Sequence, residues 1–196
     1  MNYLSKTYLI VLMVFLASFS RKDRVSELTY QAYLSGTETL WKNAVSEAKT
    51  TCQEVSSHEH MYHLALARFG LLNATMATEN EDLFNAYVDQ TMDLLERLED
   101  LGYKAADAKA LRAAIYGYKI AFSPIKGMFL GPRNTALIDE AMAMDPSSPV
   151  VQKMYAQHQY FTPEMWGGNI ENAKDAYQRS SRLFEKAEDT RNWMYL

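Results

Sequence analysis

After residue 20, apolar residues recur at spacings of three and four along almost the whole chain, and Gly and Pro fall mostly in the gaps between these periodic runs. The pattern predicts helices over 24–35, 38–55, 59–77, 82–100, 105–122, 133–144, 149–161 and 170–187, that is, four helical hairpins in one domain. No segment alternates apolar and polar residues at period two, so no strand is expected. Several gaps carry helix-boundary chemistry. Ser148–Pro149 and Ser123–Pro124 each suit an N-cap followed by a first-turn proline. Thr78 and Glu81 have the spacing of a capping box. Gly102, directly after Leu101, suits a left-handed terminator.

Small and large residues alternate in the C-terminal third as stacked helical hairpins require. A tetratricopeptide (TPR) unit needs small residues where its two helices touch and a proline after the second helix, at a period of about 34 residues. Ile138, Ala141 and Pro146 fit the end of one such unit; Tyr155 with Ala156, then Ala173 with Tyr177, fit the two helices of the next. The segment between them, from Phe161 to Gly168, is about five residues longer than a standard unit allows. Upstream, Trp41, Val45 and Ala48 make a fair second helix, but the hairpins over 59–122 lack the signature. The expected fold is therefore all-α, a TPR-like solenoid of antiparallel hairpins with irregular repeats. A plain helix bundle would show the same amphipathic periodicity.

Three short elements sharpen this reading: Lys126-Gly-Met-Phe-Leu-Gly131, Asp145-Pro146 and Thr162-Pro-Glu-Met-Trp-Gly-Gly168. With them the chain resembles exported TPR-like proteins of the Bacteroidetes type, most strongly over 116–193. The resemblance implies a periplasmic or surface binding scaffold, related to the helical partners of transport systems, and it carries no catalytic residues. The chain departs from that family at Trp193-Met-Tyr-Leu196, where relatives continue into another helix pair. The last repeat thus reads as incomplete, and its final hairpin is expected to lie uncovered and inclined to associate; a fold-back of 193–196 onto the 170–187 helix is the competing expectation.

Residues 7–20 form an apolar run too short for a comfortable membrane span and suited to a signal-peptide core, preceded by Lys6 and followed by the small residues Ser18 and Ser20. The expected organisation is a signal peptide over 1–20 and a helical domain over 21–196, located in the periplasm or otherwise outside the cytoplasm. Arg21, Lys22 and Arg24 behind the run would equally suit an uncleaved anchor, the sole expected membrane contact. The net charge is −4 with both signs scattered, which offers no basic face to nucleic acid. A single cysteine, Cys52, excludes an internal disulfide and a cysteine-based zinc site; it reads as a small buried hydrophobe.

Candidate chemistry is sparse. His58, His60 and His63 cluster at a helix start, and the spacing of His60 and His63 could chelate a metal, but the zincin pattern is absent and solvated imidazoles are the simpler reading. Asp139/Glu140, Glu79/Glu81/Asp82 and Glu96/Glu99/Asp100 lie at helix ends or exposed faces, where acids serve the helix dipole or solubility. Asn73-Ala-Thr75 has the form of a glycosylation sequon but falls inside a helix. The aromatics are more suggestive: Tyr116, Tyr155, Tyr160, Phe161 and Trp166 lie where a solenoid would border a groove for an extended segment or apolar ligand. The expected function is a non-enzymatic scaffold without a cofactor, binding a protein partner or a small apolar ligand. The alternatives are an accessory component of a solute transport system and a His-based metal-dependent enzyme.

Overall fold

The computed structural model describes residues 24–189 and 192–195; the signal-peptide expectation falls outside them. Within them the chain is helical throughout, with no strand. Helix α1 covers 24–35, followed by α2 (Glu38–Glu54), α3 (His58–Thr78), α4 (Glu81–Asp100), α5 (Ala105–Phe122), α6 (Gly127–Met144), α7 (Pro149–Phe161) and α8 (Ile170–Lys186). Two 3-10 turns, Pro124–Lys126 and Glu164–Trp166, lie before α6 and α8. Among the described residues no helix is long and apolar enough to cross a membrane.

Short connections reverse the chain at each step, so consecutive helices from α2 to α8 pack as neighbours. Beyond these, α3 packs on α5 and α5 on α7, whereas no even-numbered helix packs on another among the described residues. Helices α3, α5 and α7 therefore form an inner row. Burial follows from that position: α3 buries Leu64, Ala65, Leu66 and Ala67 in succession, which requires cover on all sides. Helix α5 is covered in the same way and uses alanines at 106, 108, 110 and 113, which let its neighbours approach closely. Helix α8 buries a single stripe, Ala173, Ala176, Ser180 and Phe184, and turns its polar face outward.

Of the positions expected at helix contacts, Trp41, Val45, Ala48, Ile138, Ala141, Ala156 and Ala173 lie in the interior, whereas Tyr155 and Tyr177 are half-buried. The caps hold in part. The Ser148 hydroxyl accepts from the Val151 N–H, and Gly102 (φ 65°) closes α4, with the Tyr103 N–H bonded to the Leu98 carbonyl at 3.0 Å. The capping box does not form. Asn80 caps α4 through the Leu83 N–H, while Thr78 remains in α3 and donates to Glu38. Ser123 makes no side-chain cap. Helix α6 starts at Gly127 rather than 133, running through Pro132. That proline sits near the N-terminus, where it forfeits one intrahelical bond and the preceding 3-10 turn already directs the chain into the helix.

The C-terminal residues overturn the expectation of an uncovered last hairpin. Trp193 and Met194 are 4% and 1% exposed. The indole lies 5.0 Å from the Trp41 ring, 5.7 Å from Tyr33 and 6.3 Å from Phe69, between centroids. Lys153 Nζ donates to the Met194 carbonyl, Tyr195 packs edge-on against Phe184 and its hydroxyl donates to Glu185. The tail thus reaches beyond α8 and ties α7 and α8 to the first three helices. A single indole suffices for this because its large ring fills the gap beside the first three helices.

Candidate functional site

Three one-sided stripes converge on a cleft of about 530 Å³. Helix α4 contributes Glu81, Phe84, Asn85, Val88 and Asp89, residues that share one face by their spacing of three and four. Helix α5 adds Tyr116, Lys119 and Phe122; the turn before α6 and its first residues add Lys126, Phe129 and Leu130. The floor is apolar: Phe84 and Val88 are buried, and the Phe84 and Phe122 rings stand 5.0 Å apart. The mouth is charged, with acids on the α4 side and lysines on the α5–α6 side. Lys119 lies 3.6 Å from the exposed Asp89, a contact that solvent screens. Arg133 stacks over Tyr116 at 5.2 Å from its centroid and fixes the ring against the cleft wall. Phe129, 79% exposed, stands at the mouth.

The five groove residues expected from sequence are divided. Tyr116 lines this cleft. Tyr155 packs against the core, half-buried. Tyr160 and Phe161 form an edge-to-face pair at 4.9 Å at the exposed end of α7, and Trp166 is exposed on the adjoining 3-10 turn. That turn is tightly built. Gly167 has φ 95°, and a Cβ on Gly168 would stand 1.7 Å from the Thr162 carbonyl oxygen, which explains the paired glycines of the Thr-Pro-Glu-Met-Trp-Gly-Gly element.

The histidines are occupied structurally. His60 is buried rather than solvated, its Nδ1 2.9 Å from Ser57 Oγ and 3.1 Å from the Val55 carbonyl, and His58 packs edge-on against Tyr103. Among the described residues no group of three or more His, Cys, Asp or Glu side chains is placed to hold a metal ion. His158, on α7, lies 3.5 Å from the Thr162 hydroxyl, and burial lowers its pKa. In the sequon, Thr75 is fully buried and Asn73 accepts from the Tyr118 hydroxyl, so both sequon side chains are engaged in the fold. Cys52 is half-buried, and desolvation raises its thiol pKa.

Two polar assemblies escaped sequence reasoning because their members come from distant helices. At the opposite end from the exposed aromatics, buried Asp107 on α5 accepts from the Tyr62 hydroxyl of α3 at 2.8 Å and from the Ser148 hydroxyl at the start of α7. Burial pushes the Asp107 pKa up, against the pull of these two donors, and drives the Tyr62 phenol well above its ordinary value. The second assembly joins α4, α5 and α6: Glu99 meets Arg112 at 2.7 Å and Lys109 at 3.5 Å, and Lys109 reaches Glu140 at 2.7 Å. Glu99 and Glu140 therefore serve as inter-helix ties rather than as free surface acids. Lys153, beneath the tail, has its pKa lowered by burial to about 8.

No protein-family model and no curated protein matches the chain. Among solved structures it is similar to the HusA haemophore from Porphyromonas gingivalis, with a TM-score of 0.68 at 16% identity, covering 88% of this chain and 84% of that one. At that identity the likeness is one of fold: an all-helical architecture, shared over nearly the full length of both chains.

Proposed function

We propose that this protein is a non-enzymatic carrier that binds a small, flat, apolar ligand bearing acidic groups in the cleft between α4, α5 and α6. The observation that carries the reading is the cleft itself, with an aromatic lining of Phe84, Phe122 and Tyr116 and two lysines, Lys119 and Lys126, on one side of its mouth. Its volume falls within the range of small-molecule sites, and such sites combine an apolar lining with few placed polar groups. Apolar faces would enter between the rings while carboxylates met the lysines. Haem has this character, and the structural neighbour is a haemophore, so haem is the first ligand to try. Tyr116 supplies a phenol at the cleft wall; no histidine lines it.

The arrangement of α3, α5 and α7 as an inner row and the even-numbered helices as an outer one supports a TPR-like architecture, and with it the exported TPR-like family of the Bacteroidetes type. Export, with residues 1–20 as signal peptide, belongs to the same proposal. N-terminal sequencing of the protein recovered from the cell envelope tests it.

Titration with haem, followed by its Soret absorbance, tests the ligand reading. Saturable binding is expected, weakened about tenfold by the paired substitution Lys119→Glu and Lys126→Glu, the scale of one or two lost charge-assisted contacts. Absence of saturation, or affinity indifferent to both lysines, would sink it. A protein-interaction scaffold would instead co-purify with an envelope protein and leave the cleft unused.

A further inference from the structure

Nearly all the exposed large apolar side chains of the described residues gather at one end of the helix row. Of eleven, only Leu101 and Met144 lie at the other end. Most stand on two neighbouring connections. The α5–α6 tip carries Ile125, Met128 and Phe129, 76%, 78% and 79% exposed; the α7–α8 tip carries Phe161, Met165 and Trp166, 75%, 82% and 67% exposed. Side chains in a flat patch shield one another, so values this high mean that each one protrudes.

Neither tip is slack. In the second, the Trp166 N–H bonds to the Pro163 carbonyl at 2.8 Å, Gly167 to Glu164 at 3.0 Å and Asn169 back to Gln159 at 3.0 Å. In the first, Pro124 opens a 3-10 turn whose carbonyl accepts from the Gly127 N–H, and α6 follows directly. A hydrogen-bonded backbone that holds Trp, Phe, Met and Ile in water has the form of a docking device.

We propose that this end of the molecule docks on an anionic lipid bilayer, inserting both tips into the interface between headgroups and acyl chains. Two separate protruding knuckles offer no continuous face for a folded protein to match, whereas a fluid bilayer closes around each. Trp166 and Tyr160 are amphipathic rings of the kind that settle at the membrane–water boundary. Charge at the first tip suits an anionic surface: from Ser123 to Arg133 it carries Lys126 and Arg133 and no acid, while Glu38, Glu79, Glu81 and Asp82 at this end stand on the other two connections, α1–α2 and α3–α4. Cations beside an apolar insertion favour anionic headgroups. The second tip carries Glu164 and Glu171, so it contributes insertion and the first contributes the preference for negative lipid. Phe129 and Lys126 also line the cleft, whose mouth would then open at the membrane surface. Docking does not require the cleft to hold a ligand, and the two readings fail separately.

The protein carries its own reporter. Of its three tryptophans, Trp41 and Trp193 are buried, leaving Trp166 as the one that faces water. Vesicles of phosphatidylcholine with phosphatidylglycerol, with and without brominated acyl chains, are added to the full chain and emission is followed. The expected result is a blue shift and quenching by the brominated lipid, both abolished by Trp166→Phe, and both weaker on pure phosphatidylcholine or at high salt. The double variant Ile125→Ser, Met128→Ser, at residues that do not themselves line the cleft, should greatly reduce both, and Lys126→Glu should remove the preference for anionic lipid. Circular dichroism checks that each variant is folded. Because the apolar run at 7–20 could hold an unprocessed chain on vesicles, pelleting alone is not the readout. Co-sedimentation with Trp166 emission unchanged would overturn the proposal, as would insertion indifferent to the first-tip variant. So would light scattering in which the tip variants convert a dimer to a monomer with no vesicle effect.

Discussion

The two ends of the helix row solve opposite problems. At the end formed by the α2–α3, α4–α5 and α6–α7 turns, polar groups are pulled inside and satisfied: Asp107 binds Tyr62 and Ser148, and His60 binds Ser57 and Val55. At the other end, apolar groups are held outside on well-bonded backbone, and the cleft opens beside them. A buried polar cluster is costly unless complete, and exposed aromatics are costly unless used. The first end therefore reads as the one that secures the fold and the second as the one that meets partners. The indole of Trp193 lies between the two terminal regions and closes the row.

The comparison breaks most readily at that closure. Trp193→Ala removes a ring packed against Trp41, Tyr33 and Phe69, and the expected loss is about 3–5 kcal/mol in urea unfolding. A loss below about 1 kcal/mol would show that the tail merely rests on the surface. Asp107→Ala comes next. It strands the Tyr62 and Ser148 hydroxyls inside the protein and should cost about 2–4 kcal/mol. The double variant with Tyr62→Phe should recover part of that, since removing a stranded donor removes its penalty.

Ala173→Leu asks how sharply the exposed tip gives way to core. Ala173 is 1% exposed in the first turn of α8, immediately behind Ile170, which is half-exposed. Overpacking there should cost about 1–3 kcal/mol, whereas Lys174→Ala, one residue on and exposed, should stay within about 0.5 kcal/mol. Equal effects would contradict the register of α8 against α7.

These contrasts also mark what the residues made legible. Helix spans follow from local periodicity: six of the eight expected helices begin and end within a residue of their observed limits, and α1 ends at 35 as expected. The exception, α6, was set back by Pro132, whose cost depends on its place in the helix rather than on its presence. The cap at Asn80 lies two residues beyond Thr78, the expected capping residue, which stays in α3 and donates to Glu38 of α2. Tyr116 lines the cleft, yet Phe84 and Lys126, which line it too, are 32 residues upstream and 10 downstream. The α4 and α5 stripes follow from periodicity, whereas Phe129 and Leu130 precede residue 133, where the sixth helix is expected to start; the convergence of all three depends on packing between helices, which no local pattern encodes. A fold-back of 193–196 onto the last helix is legible as an alternative, but the seat of Trp193 against Tyr33, Trp41 and Phe69 is not, for the same reason.

Lys153 offers a pH test of the closure. Its amine lies beneath the tail, and burial lowers its pKa from 10.5 to about 8. Below pH 8 the folded and unfolded chains both carry the proton, and the fold bears the cost of a buried charge. Between pH 8 and 10.5 the unfolded chain keeps the proton while the folded chain releases it, so stability contributed by this group rises with pH and levels off above that window. A rise of about 1–2 kcal/mol is expected in the wild type relative to Lys153→Met, which has no proton to lose. Parallel pH profiles for the two proteins would mean that the amine reaches solvent.

The smallest expected effect is also the sharpest for the tip end. Ile125→Ser and Met165→Ser remove apolar side chains 76% and 82% exposed, so folding withdraws little of their surface from water and little stability depends on them. Each should change unfolding free energy by no more than about 0.5 kcal/mol, in contrast to the kilocalories lost at Asp107. The measurement should be made across a range of protein concentrations. If the tips pack against a second copy, both variants will destabilise the protein, and the loss will grow with concentration because association stabilises only the folded chain. If they stand free, the variants will match the wild type at every concentration. Apolar side chains that contribute nothing to folding would then be retained for what they touch outside the molecule.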